Sequence, residues 1–214
     1  MEYTLEVCCT GNNGRSPMAE AIGNWYLEQR RWQDTARFIS SGTRADPQWD
    51  DILPYKKVVS VLAKASQNGI MEPVEVDEYR YETDKDYEAV IREKVKAVMK
   101  NMRSIESALR DAALHGRDLK YDGTRSQTIV RDDVSIVLGM EKRHVEEVKQ
   151  IYSGVDEEQK PQIITLADYV NADCEIPDSI GNTNPLVYRK IRDILLDMIP
   201  RAVLRFKEEH DYDL

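Results

Sequence analysis

Cys9 and Arg15 stand near the start of the chain with five residues between them, in the stretch Val7-Cys8-Cys9-Thr10-Gly11-Asn12-Asn13-Gly14-Arg15-Ser16-Pro17. A thiol and a guanidinium at that separation can face one another across a curl of backbone. The guanidinium presents a planar fork of donors to two oxygens of a tetrahedral anion, and the sulfur lies at the floor of the curl as a nucleophile. A positive field of this kind favours the thiolate over the thiol. The Ser16 hydroxyl can donate a hydrogen bond to the sulfur, steadying it first as nucleophile and then as leaving group. Thr10, Gly11, Asn12, Asn13 and Gly14 supply the N–H groups of the curl. The glycines are expected to take angles closed to other residues, and the asparagines tolerate positive φ.

Two elements must hold this loop. Before it, Tyr3, Leu5 and Val7 alternate with Thr4 and Glu6 as in a strand; after it, Pro17 opens a segment in which Met18, Ala21, Ile22 and Trp25 recur at helical spacing. The loop therefore ends at a helix N-terminus, where unpaired N–H groups favour an anion. A glycine turn with an inert buried cysteine and a surface arginine is the bland alternative, and the number of matching features outweighs it.

The chain has 214 residues, enough for one good core, and 32% of them are charged, with a net charge of −9. That balance disfavours a general nucleic-acid or anionic-membrane surface, so a phosphate site must be positive locally. Three cysteines, two of them adjacent, make no disulfide framework, and no signal peptide or membrane-spanning apolar run is visible. The expectation is a cytoplasmic protein. Three scattered histidines lack metal-binding spacing, so neither metal nor cofactor is expected.

The stretch resembles the phosphate loop of low-molecular-weight protein tyrosine phosphatases, Cys-x-Gly-Asn-x-Cys-Arg-Ser-Pro, which follows the first strand. Cys9, Gly11, Asn12, Arg15, Ser16 and Pro17 match it, and Gly14 replaces the family's second cysteine. The resemblance implies that this chain lacks the protective disulfide of the family unless Cys8 substitutes, and adjacent cysteines pair only with strain. In Phe38-Ile39-Ser40-Ser41-Gly42-Thr43 the family has a serine bonded to the loop asparagine, which implies that Ser40 orients Asn12. Trp49 follows in a polar segment, as a core cover or as one wall of the substrate cleft.

A general acid is also needed, because an ester's departing oxygen must take a proton. The family carries it as the aspartate of an Asp-Pro loop before a helix with a Tyr-Arg pair, and Asp178 and Tyr188-Arg189 match. Ser179 replaces the proline, the paired aromatics that normally follow are missing, and Asp173 is the rival for the acid. His144 falls where the family often has a histidine, and a helical surface role is expected of it.

Between these blocks, residues 71–122 do not resemble the family. There Ile91, Val95, Val98, Met102, Ile105, Leu109 and Ala112 are spaced alternately four and three along a charged helix. The stripe packs on the domain or on a second helix from 71–86, or else forms a dimer seam or partner-docking surface over 87–112. Further on, Val134, Ile136, Val137 and Leu138 suit a strand buried on both faces, Ile163 and Ile164 a short strand, and Val187, Ile191, Leu195 and Met198 a last helix that Pro200 should kink or interrupt.

The sequence thus predicts one α/β domain over 1–214. It is a three-layer sandwich with a central parallel sheet of about four strands, helices on both faces, and a charged helical insertion at 71–122. The implied activity is hydrolysis of a phosphomonoester, foremost protein phosphotyrosine, through a phosphocysteine on Cys9. Arg15 holds the phosphate and Asp178 serves as acid and then base. A phosphorylated protein or a small phosphate ester is the expected partner, with inorganic phosphate as product and inhibitor. Two rivals stand beside this reading: a thiol-dependent arsenate reductase, which needs relay cysteines, and a phosphate-dependent binding module, which needs neither thiolate nor acid.

Overall fold

The computed structural model describes residues 3–45 and 54–210. In chain order the elements are β1 (Tyr3–Cys9), α1 (Arg15–Arg30), β2 (Ala36–Gly42), α2 (Tyr55–Gln67), α3 (Glu78–Thr83), α4 (Lys85–His115), β3 (Val134–Gly139), α5 (Lys142–Ile151), β4 (Gln162–Thr165), α6 (Leu166–Tyr169) and α7 (Pro185–Glu209). All strand pairs are parallel and their order is β2-β1-β3-β4. The chain therefore reverses its direction of winding between β1 and β3. In open parallel sheets the crevice at the carboxyl ends of two such strands is where ligands bind.

Two apolar layers sandwich the sheet. On one side Leu5, Val7, Phe38, Ile136 and Leu138 pack against Met18 and Ile22 of α1 and against Ile191, Leu195, Met198 and Val203 of α7. On the other, Cys8, Val134 and Val137 pack against Val148 and Tyr152 beneath α5. Successive residues of a strand face opposite ways, so Cys8 and Cys9 enter different layers. In α1 the buried stripe takes Tyr26 where spacing from Met18 favoured Trp25, and Trp25 is exposed. The α7 helix runs unbroken through Pro200. Proline forfeits one backbone hydrogen bond there, but Met198, Ile199, Ala202, Val203 and Phe206 are all buried around it and packing holds the helix together.

The segment 71–122 builds a third cluster. Ile91, Val95, Val98 and Met102 of α4 pack against Val58, Leu62 and Ala65 of α2 and Tyr81 of α3. The first half of the apolar stripe is thus covered by the chain itself. In the second half the buried face departs from the predicted one: Ile105 and Leu109 are half-buried and Ala112 exposed, while Glu106, Arg110, Ala113 and Leu114 are buried. Positions 91, 95, 98, 102, 106, 110 and 113 recur near the 3.6-residue period of a straight helix. A strict heptad suits only a supercoiled one. Asp84 caps the start of α4 by accepting from the Asp86 and Tyr87 N–H groups, and near its end the buried Arg192 of α7 donates to the Ala113 carbonyl at 2.8 Å.

Candidate active site

The stretch 9–16 leaves the end of β1 and turns directly into α1. Gly14 occupies the N-cap position with no side chain capping the helix, and from Gly11 to Arg15 no backbone N–H donates to an acceptor among the described residues. Five donors and the positive end of a helix dipole are thereby left for an anion. The left-handed residue of the curl is Asn12, at φ 45°; neither glycine of the loop has positive φ, contrary to the expectation from sequence. Gly14 is required for space instead, because a Cβ there would overlap the Ser179 hydroxyl and the Glu106 carboxylate. Close approach falls at Gly42 of β2, where a Cβ would lie 2.6 Å from the Asn12 N and 2.7 Å from the Thr10 O.

Cys9 is 4% exposed, and its sulfur lies 3.0 Å from the Ser16 hydroxyl. That hydroxyl donates toward the Asn12 Oδ1 and the Ser41 carbonyl, each at 3.1 Å, and pairs with the sulfur in either direction. Asn12 is oriented by donating to the Ser40 carbonyl at 3.2 Å and to Ser126. Ser40 thus meets Asn12 through its backbone carbonyl, and its hydroxyl lies 3.4 Å from that of Tyr121. The return segment after α4 adds a further brace, since Arg125 Nε donates to the Gly11 carbonyl at 2.8 Å.

Arg15 is 1% exposed, and two carboxylates compensate the buried charge. One amino group bonds Glu141, just past the end of β3, and the other bonds the Asp178 Oδ1 at 3.1 Å. Burial works to raise the Glu141 pKa, yet hydrogen bonds from Arg143 and Arg15 overcome it and pull the carboxyl down to about 2. Asp178 has 39% of its side chain exposed, with Lys64 of α2 3.6 Å from its other oxygen. Asp173, the rival, is exposed and lines the groove beside this loop. Tyr188 is fully buried and holds the loop after Asp178 by donating to the Ser179 and Asn182 carbonyls, each at 3.0 Å; Arg189 lies instead on an outer groove with Cys174.

His144 is fully buried, a correction to its expected surface role. Its Nε2 is 2.9 Å from the Thr10 hydroxyl, while Nδ1 has no hydrogen-bond partner among the described residues. Burial, reinforced by the Arg15 charge, pushes its pKa down to about 4, so the ring at the edge of the loop is neutral at pH 7. Cys8 bonds Thr128 at 3.3 Å, and burial pushes its thiol up to about 12. Trp49 lies outside the described residues.

The sequence alone assigned no site role to Glu141, Glu106 or Arg125. Glu141 was legible in principle, because a charged residue directly after an apolar β3 sits at the carboxyl edge where open sheets hold ligands. Glu106 shows itself once the stripe is read at 3.6 rather than 3.5 residues. No group of three or more His, Cys, Asp or Glu side chains that could hold a metal ion occurs among the described residues.

Searches of protein-family models and of curated protein sequences return no match. Solved structures do match over nearly the whole chain. An arginine phosphatase, YwlE of Geobacillus stearothermophilus, is 21% identical with a TM-score of 0.58, covering 97% of this chain and 94% of its own. A protein tyrosine phosphatase of Entamoeba histolytica is 16% identical with a TM-score of 0.60, covering 97% and 99%. These matches define a class, the α/β sandwich with its loop at the winding reversal. More particularly, the fold is that of the low-molecular-weight protein tyrosine phosphatases, as a match to the T. tengcongensis member shows at 18% identity and a TM-score of 0.52, covering 95% and 99%.

Proposed function

We propose that the chain is a metal-independent, cysteine-dependent phosphatase. The observation that carries this reading is the convergence on one curl of the Cys9 sulfur, the buried Arg15 and, 3.1 Å from that guanidinium, the Asp178 carboxyl. In the proposed reaction the Cys9 thiolate attacks phosphorus in line, and the phosphorus to leaving-group bond breaks as the sulfur to phosphorus bond forms. Arg15 and the N–H groups from Gly11 to Arg15 hold the equatorial oxygens through the charge redistribution. Protonated Asp178 gives its proton to the departing oxygen, then as carboxylate takes one from the water that cleaves the thiophosphate. Ser16 and Asn12 orient the sulfur, and Glu141 braces the guanidinium. Inorganic phosphate, the product, would inhibit by occupying the same curl.

For the substrate we take a phosphorylated protein, with phosphotyrosine as the first candidate on the strength of the phosphate loop. A second reading, phosphorylated arginine, is favoured by one feature of the rim. The loop 173–184 carries no aromatic residue, and Glu141, Asp173, Glu175 and Asp178 line the adjoining groove. Carboxylates suit a guanidinium leaving group better than a phenol, and three matching structures are named arginine phosphatases. The arsenate reductase alternative is disfavoured because Cys8 points into the opposite layer from Cys9. Hydrolysis of para-nitrophenyl phosphate in EDTA tests the activity, with wild type active and Cys9→Ser silent; equal rates in both would refute it. Matched phosphotyrosine and phosphoarginine peptides then decide the substrate by their kcat/KM ratio.

A further inference from the structure

Glu106 lies midway along α4, in the segment that owes nothing to the family resemblance, and is 6% exposed. Its Oε2 accepts from the Asn13 side-chain amide at 3.0 Å, and its Oε1 accepts from the Ser179 hydroxyl at 2.5 Å. Asn13 belongs to the phosphate loop, and Ser179 directly follows Asp178. One buried carboxylate thus joins the loop that would bind phosphate to the loop that would carry the acid.

Burying a carboxylate on two neutral donors is costly. At position 106 the stripe of α4 would otherwise take an apolar residue as it does at 98 and 102, and helix packing alone gives no reason for the charge. The two ends of the bridge are also unequally supported. Asn13 is held by α4 at three further points: its amide donates to the Arg103 carbonyl at 2.9 Å, its Oδ1 accepts from Ser107 at 2.8 Å, and its backbone carbonyl accepts from Arg110 at 2.9 Å. The Ser179 side chain has Glu106 as its hydrogen-bond partner among the described residues. Removing Glu106 therefore leaves the phosphate loop braced and takes from Ser179, next to the acid, the anchor of its side chain, with Tyr188 still holding its carbonyl.

We propose that Glu106 is a positioning residue that sets Asp178 relative to the phosphate loop, so that the helical segment is part of the catalytic machinery. The proposal rests on the phosphatase reading above. Displacing a proton donor by about 1 Å can cost on the order of 100-fold in rate, and only where the leaving group needs the proton.

The test compares kcat and KM on phenyl phosphate, a poor leaving group, and para-nitrophenyl phosphate, an activated one, in EDTA. Wild type, Glu106→Ala, Glu106→Gln and Ser179→Ala are measured, each also combined with Asp178→Ala. The expected result is that Glu106→Ala and Ser179→Ala lower kcat on phenyl phosphate at least about tenfold more than on para-nitrophenyl phosphate, with inhibition by inorganic phosphate changed less than about threefold, and that the difference vanishes without Asp178. Glu106→Gln, which retains one acceptor, should fall between. Equal loss on both esters, or a full loss that persists in the Asp178→Ala background, overturns the positioning role. Should Glu106→Ala not fold, Ser179→Ala cuts the same bridge at its other end. A silent wild type would instead refute the phosphatase reading, and the proposal with it.

Discussion

Around Arg15, single substitutions should separate anion binding, proton transfer and acid stability. Cys9→Ser should abolish turnover while vanadate still binds, because the anion's partners are backbone N–H groups and Arg15 rather than the sulfur; a titration of vanadate against the thermal midpoint checks this, and loss of binding would contradict it. Asp178→Ala should slow phenyl phosphate about 100-fold or more and para-nitrophenyl phosphate far less, in keeping with the contribution of a general acid. If both esters slow equally, the acid lies elsewhere and Asp173 is next to test. Acid stability should follow two groups. The His144 pKa is about 4 in the fold against an ordinary 6.5, so between those values the unfolded chain binds more protons and stability falls as pH drops from 6.5 toward 4. Glu141, at about 2 against an ordinary 4.5, extends the loss below pH 4.5. Urea unfolding at pH 7 and pH 5 should show a smaller drop in stability for His144→Gln than for wild type; an unchanged drop would mean that His144 is not held neutral.

At the scale of elements, the segment 71–122 is packed both on α2 and on the loop after β1. Its N-terminal half makes its own apolar cluster with α2, and Ile91→Ala in that cluster should cost about 2–5 kcal/mol, read as a lower urea midpoint. Its C-terminal half turns a polar face to the phosphate loop. The two halves explain what the sequence could and could not reveal. The strand, loop and helix at 3–30 were legible because alternation, glycines and helical spacing agree locally and the loop chemistry is specific. The stripe at 91–102 was legible for the same reason. Beyond it, apolar spacing pointed to Ile105 and Leu109, because a one-dimensional pattern cannot show that the surface meeting the helix has become polar. Gly14 misled in a related way: its type suggested an unusual backbone angle, yet it is glycine because Glu106 and Ser179, 92 and 165 residues further along, occupy the place of a side chain. Gly14→Ala should therefore destabilise by about 1–3 kcal/mol through overpacking, and pairing it with Ser179→Ala should recover part of the loss.

For the whole molecule, parallel strands bring residues distant in sequence to one edge. Cys9 and Arg15 flank the loop after β1, Glu141 follows β3, and Asp178 arrives on the connection before α7. The sheet order was not readable from the sequence, but its consequence was in part, since Cys9 ends an apolar strand, Arg15 starts a helix and Asp178 precedes one. No helix among the described residues is long and apolar enough to cross a membrane. The central claim is that phosphate passes through Cys9, and rapid acid quenching of the enzyme during turnover of para-nitrophenyl phosphate, followed by peptide mass analysis, tests it most directly. The account predicts one phosphoryl group on the peptide containing Cys9, absent from Cys9→Ser and accumulating when Asp178→Ala slows the attack of water. Turnover at the wild-type rate with no phosphoryl group on that peptide would contradict it.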